Sequence, residues 1–276
     1  MRIDAHQHYW EVNRGDYGWI TPEITTLYRD YLPTDLAPHL KKHQIEQTIL
    51  IQAAPTIEET LFLLDLSNES GSIAGVVGWI DLESSDYKSQ FSLFEKQPKF
   101  VGFRLMIQDM IDETIVLKEN YIKALRYFVE KDVPVDLLFV HNQLPTVIQL
   151  LEKVPGLRGV VNHIGKPNIA GQIMEPWKSE MSQIAKHKNI YCKLSGMVTE
   201  ADHNDWETSE FVAYIRHILV EFGMERVMFG SDWPVCLLAG SYDDVVNILE
   251  YALPKNMSKS DQEKLFGGNA QRFYKL

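Results

Sequence analysis

The chain has 276 residues, 45% hydrophobic and 24% charged, which is the ordinary globular range and leaves room for one large barrel or two small domains. Its formal net charge of -11 argues against nucleic acid or an anionic membrane surface as the main partner, since either selects for a basic face; a small neutral molecule suits it better. Cys192 and Cys236 match no C-x-x-C spacing, so both read as buried thiols, with no disulfide framework or zinc knuckle. No apolar run approaches the roughly 18 residues that span a bilayer, and no apolar leader precedes Arg2-Ile3-Asp4, so the expected setting is cytoplasmic. A homo-oligomer is compatible with the sequence, which carries no signal for or against one.

Short β-rich runs alternate with stretches of helical period. The first strand is expected over 2–8, and on it His6 and His8, two residues apart, face the same side. Seven more follow at Gln47 to Ala53, Ala74 to Ile80, Phe100 to Met106, Val133 to Val140, Leu157 to His163, Asn189 to Ser195 and Arg226 to Asp232. Amphipathic helices are expected between them, among others over Ile57 to Ser67, Tyr121 to Glu130, Leu144 to Glu152 and Thr208 to Phe222. The irregular, aromatic-rich stretch from Tyr9 to Pro38 reads as a long first loop able to cover a barrel mouth. Ser260 and Glu263 have the spacing of a capping box for the last helix. Eight strands in alternation with helices over this length predict an α/β chain folded as one (β/α)₈ barrel of the TIM type. The rival, a doubly wound open sheet, lacks its G-x-G-x-x-G or Walker loop after any strand.

On these boundaries polar side chains stand at or just beyond the C-terminal end of nearly every strand: His6 and His8, Gln52, Trp79 and Asp81, Arg104, His141, His163, Lys193 and Asp232. Ionisable groups are rarely buried without partners, so the pattern indicates a reaction centre at the top of the barrel. The remaining histidines, His39, His43, His187, His203 and His217, fall in helical or loop segments and read as surface residues.

Five ordered motifs carry a family resemblance: Asp4-Ala5-His6-Gln7-His8, Val161-Asn162-His163-Ile164-Gly165-Lys166-Pro167, Tyr191-Cys192-Lys193-Leu194-Ser195-Gly196, Phe229-Gly230-Ser231-Asp232-Trp233-Pro234 and Gly268-Asn269-Ala270. Together they resemble the amidohydrolase superfamily over the whole chain. The match is to the amidohydrolase-related branch that contains lactonases for L-fucono- and L-rhamnono-lactones. That resemblance implies a hydrolase opening a sugar-derived lactone to the aldonic acid. Related branches include metal-dependent decarboxylases of aromatic or unsaturated acids, which gives one alternative; a non-catalytic barrel binding a sugar acid is another.

The resemblance also implies roles. Asp232 is the expected general base, taking a proton from water and returning it to the leaving alkoxide, against the plain reading of a helix N-cap. His163 is expected to polarise the lactone carbonyl. His6 and His8 supply two ligands for a divalent ion, zinc by donor type, with Asp232 or His163 completing the set. The branch holds both single-metal and metal-independent lactonases. A metal pair bridged by a carboxylated lysine is not expected, because the middle strand ends offer Arg104 and His141. Arg104 is the candidate clamp for the lactone oxygen or nascent carboxylate, with His141 and Lys166 as further substrate contacts. Trp10, Trp19 and Trp233 are candidates for stacking on a sugar ring, against a packing role.

Overall fold

In a computed structural model covering residues 1–276, eight strands hydrogen-bond in chain order and every pair is parallel. They are β1 (Ile3–Gln7), β2 (Gln47–Ile51), β3 (Ile73–Gly78), β4 (Phe100–Met106), β5 (Val135–Leu138), β6 (Gly159–Val161), β7 (Ile190–Leu194) and β8 (Val227–Phe229). Eight helices follow them in turn: α1 (Pro33–Lys42), α2 (Ile57–Glu69), α3 (Tyr87–Phe94), α4 (Glu119–Glu130), α5 (Leu144–Lys153), α6 (Trp177–Ala185), α7 (Val212–Phe222) and α8 (Tyr242–Ala252). This is the expected (β/α)₈ barrel, taking up the whole chain.

The barrel closes at its rim. The His8 amide donates to the Trp233 carbonyl at 2.7 Å, and the Asp232 amide donates to the His6 carbonyl at 2.8 Å. The bonds that join the first strand to the last therefore also fix Asp232 beside the paired histidines.

Each helix buries an apolar face against the strands. In α4, Tyr121, Ile122, Leu125 and Phe128 recur at helical spacing and are buried, as an amphipathic segment requires. A second apolar cluster fills the barrel interior, including Ile3, Ile49, Ile51, Val77, Val160 and Met228. The C-terminal helices α9 (Lys259–Glu263) and α10 (Asn269–Tyr274) complete the chain, and Ala270, Phe273 and Tyr274 of α10 pack onto that interior cluster.

Three expectations are corrected. The cap of α9 is Ser258, whose Oγ accepts from the Asp261 amide at 3.0 Å, not Ser260 with Glu263. Both serines lead an S-x-x-acid pattern, and the helix begins one residue after the first. His217 is buried rather than on the surface, because α7 turns it toward α6: its Nε2 lies 2.9 Å from the Lys178 carbonyl and its ring packs on Trp177. The loop from Tyr9 ends at Leu32, since Pro33, well suited to a first helical turn, opens α1.

Candidate active site

Side-chain parity along β1 changes where it matters. The β1–β2 register slips between Asp4 and Gln7, the signature of a bulge. Asp4 binds outward, its Oδ2 accepting from the Tyr242 hydroxyl of α8 at 3.0 Å and its Oδ1 from the amides of Ser231 and His6. His6 and His8 turn the other way, and their ring centroids lie 5.0 Å apart.

Three strand ends converge here. Asp232 Oδ1 lies 3.3 Å from His8 Nε2 and 3.5 Å from His6 Nε2, with His163 Nε2 at 3.8 Å. The two backbone segments that bring His163 and Asp232 inward leave the strand conformation to do so: His163 has φ 53° and Asp232 φ 57°. Residues outside Gly, Asn and Asp rarely adopt this region, so His163 is held there by its surroundings. One of those surroundings is Gly196, at φ 59°, where an added Cβ would stand 2.3 Å from His163 Nδ1. Gly196→Ala is therefore expected to displace the His163 ring and lower kcat by about 10²-fold or more, the scale of an ångström-sized misplacement. Steady-state kinetics beside a circular dichroism spectrum check this.

Proton positions follow from the partners. His8 Nδ1 sits 2.8 Å from the Ile51 carbonyl, which can only accept, so Nδ1 carries the hydrogen and Nε2 turns its lone pair to Asp232. Burial pushes all three imidazoles toward the neutral form: His6 well below its usual 6.5, with the Lys193 ammonium adding to the effect, His8 below it, and His163 to about 3. For Asp232 burial works upward, but the polar and charged groups around it, the Lys166 ammonium among them, outweigh it and hold the carboxyl below its ordinary value.

An aspartate and a lysine that the sequence left unassigned support this cluster from within the barrel. Lys193 Nζ donates to Asp136 Oδ2 at 2.5 Å and lies 3.3 Å from His6 Nδ1; both members of the pair are fully buried. Asp136 also accepts from Asn162 Nδ2 at 2.8 Å and from the Tyr274 hydroxyl of α10 at 2.7 Å. The sequence signal was an aspartate inside the apolar run Val135-Asp136-Leu137-Leu138. Ser195 was missed too; its Oγ lies 3.0 Å from His163 Nδ1.

Arg104 is buried on β4 with Nη2 donating to the Gln52 carbonyl and, at 2.7 Å, to Gln52 Oε1, while its Nε has no protein partner. Glu59 secures the adjacent turn by accepting from the Ala53 and Ala54 amides. His141 Nδ1 lies 2.9 Å from the Lys166 carbonyl, and Lys166 Nζ lies 3.6 Å from Glu200. Trp10 and Trp233 are buried, Trp10 with its indole N–H on the Arg29 carbonyl; Trp19 is 39% exposed and reaches the Ala53 carbonyl. Asp81 caps its own turn, accepting from the amides of Glu83 and Ser84. Both cysteines are free and buried.

His6, His8 and Asp232 present one ligand atom each within 4.8 Å of one another. A lone pair on His8 aimed at a carboxylate oxygen is an acceptor facing an acceptor, and a cation resolves it. This donor set, two neutral imidazoles and a carboxylate, fits a divalent ion. His163 lies beside that group, its ring 4.4 Å from that of His6.

Fold and side chains together define a parallel barrel with a buried cluster of histidines and an aspartate assembled from the ends of its first, sixth and last strands. The amidohydrolase family model matches residues 3–276, and the chain belongs to that family. It is 37% identical over 280 residues to the L-fucono-1,5-lactonase of Burkholderia ambifaria, spanning 100% of this chain and 96% of that one. The L-fucono-1,5-lactonase of Burkholderia multivorans is 35% identical over 289 residues, with the same shares covered. A solved amidohydrolase from Burkholderia multivorans with bound zinc superposes at a TM-score of 0.94 and 35% identity, covering 100% of this chain and 99% of that one. No helix is long and apolar enough to cross a membrane.

Proposed function

We propose that the protein is a lactonase that adds water across the ester bond of a sugar-derived lactone of the L-fucono type and releases the aldonic acid. The observation that carries this reading is Asp232, ionised and fixed at the barrel mouth between neutral His8 and His163, in a chain related end to end to named lactonases. Those relatives favour lactone hydrolysis over decarboxylation and over non-catalytic binding.

In this mechanism Asp232 accepts a proton from the water that attacks the carbonyl carbon. As the ring C–O bond breaks, it returns that proton to the leaving alkoxide. Ser195 donates to His163 Nδ1, which leaves the His163 Nε2–H as a donor to the carbonyl oxygen where negative charge develops. Arg104, held by Gln52, offers its remaining guanidinium protons to the lactone oxygen or new carboxylate. His141 and Lys166 lie on the β5 and β6 side as further substrate contacts, and Trp10 and Trp233 form an apolar wall.

His6, His8 and Asp232 are the residues that would hold a divalent ion, and zinc is the one we propose from their donor types and from the zinc-bearing relative. Bound there, it would supply Lewis-acid polarisation of oxygen. The protein is proposed to work in the cytoplasm on a small-molecule substrate.

A panel of sugar lactones assayed by proton release tests the function. Turnover of L-fucono-1,5-lactone is expected, and inactivity on every sugar lactone with turnover of another ester, amide or carboxylate overturns it. Chelation is expected to remove about one equivalent of metal and lower kcat, with zinc restoring both; full activity in metal-free protein overturns the metal assignment alone.

A further inference from the structure

Beside the His6, His8, His163 and Asp232 cluster, one charged pair stands just beyond hydrogen-bond length. Lys166 follows His163 by three residues and is itself held at φ 49°, its carbonyl fixed by His141. Glu200 lies on the turn Val198–Glu200 that follows β7, four residues past the Gly196 that the His163 ring packs against. The Ala170 amide donates to the Glu200 carbonyl at 2.9 Å, tying the loop after β6 to the loop after β7, and the Glu200 turn packs on Val235–Leu238, just beyond Asp232. Both side chains therefore belong to the wall on the β6 to β8 side of the reaction centre.

Their charged atoms stand 3.6 Å apart, beyond hydrogen-bond length, although the side chains are only 19% and 22% exposed. No other protein group bonds to either charge. Two pairs more open to water, Lys42 with Asp243 and Lys264 with Glu225, close to 2.6 Å or less, whereas this one does not. A half-buried carboxylate and ammonium held apart in this way present acceptors and donors side by side. Hydroxyl groups on adjacent ring carbons match that array, since each can donate to one and accept from the other. The charge of Asp232 is felt at Glu200 and that of Lys166 at Asp232 and His163, as expected of groups that stand near one another.

We propose that Glu200, with Lys166, is the specificity-determining element of this site: the Glu200 carboxylate accepts from ring hydroxyls of the lactone and the Lys166 ammonium donates to them, so the site selects polyhydroxylated lactones over bare ones. The inference rests on the lactonase reading and goes beyond it in naming what reads the sugar.

The test compares kcat/KM for L-fucono-1,5-lactone with kcat/KM for δ-valerolactone, a six-membered lactone without hydroxyls. In Glu200→Gln the ratio of the two is expected to fall about tenfold or more, the scale of a lost hydrogen bond to a charged group, with the loss residing in KM. An unchanged ratio overturns the assignment, even where both activities fall together, because general damage to the site scales both substrates alike. Lys166→Met, read by the same ratio, serves if Glu200→Gln does not fold, with the same two outcomes. Failure of the lactonase reading itself is distinct: the parent protein is then inert toward L-fucono-1,5-lactone.

Discussion

Asp232→Asn lowers kcat/KM for lactone hydrolysis by about 10²–10⁴-fold, the range assigned to a positioned general base, while leaving the fold intact. Asparagine is the right replacement because the position has φ 57°, and outside glycine only Asn and Asp visit that region readily. It keeps the side chain's size and removes the carboxylate's charge, and with it the ability to take a proton; metal content measured on the variant separates this from loss of a metal ligand. The parent enzyme should also show its acid limb below the ordinary aspartate range. Burial alone would lift the Asp232 carboxyl, but the groups around it, the Lys166 ammonium among them, hold it down, so the base stays ionised until the solution is more acidic than an ordinary aspartate requires. That limb should vanish in Asp232→Asn. Stopped-flow or steady-state rates across pH decide the matter, and a variant with full turnover would remove Asp232 from the mechanism.

Lys193→Met costs about 3–5 kcal/mol of stability, the penalty for leaving one member of a buried ion pair uncompensated. Lys193 and Asp136 are both fully buried, and their 2.5 Å contact is the aspartate's one ion pair, with the Arg104 charge acting on it from the neighbouring strand; Asn162 and Tyr274 add neutral donors. Further substitution of Asp136 by Asn removes the stranded charge and should recover a substantial part of the loss. Urea unfolding of the single and double variants measures both. A single variant within about 1 kcal/mol of the parent would mean the pair is not ionised in the folded protein.

The fold was legible because the chain alternates β-rich and helical runs without a competing phosphate loop, and β4 (Phe100–Met106) lies where its apolar run predicts. The other strands end earlier than the sequence suggests, chiefly at their C-terminal ends. Two of the expected last residues, His163 and Asp232, keep the composition of a strand but leave the ladder for left-handed backbone, and side-chain periodicity does not report φ. For the same reason Gly196 carried no message until the His163 ring was seen against it.

His6, His8, His163 and Asp232 stood out because ionisable side chains at strand ends contradict core packing. Their supports did not. Asp4 looks like one more polar residue of the first motif, and only the register slip in β1 turns it outward to Tyr242 while its neighbours turn inward. Glu59 lies on a helix where acids are common, and its bonds to the Ala53 and Ala54 amides depend on a turn that composition leaves undefined. Glu200 had no motif at all. Its role is proposed from a distance to Lys166 that only the loops after β6 and β7 could set.

The rim bonds between β1 and the segment after β8 also order events during synthesis. His8 and Asp232 are 224 positions apart, so a nascent chain on the ribosome has neither a closed barrel nor its proton acceptor until its final stretch has emerged. Every earlier length exposes β1 as an unpaired sheet edge, open to the wrong neighbour.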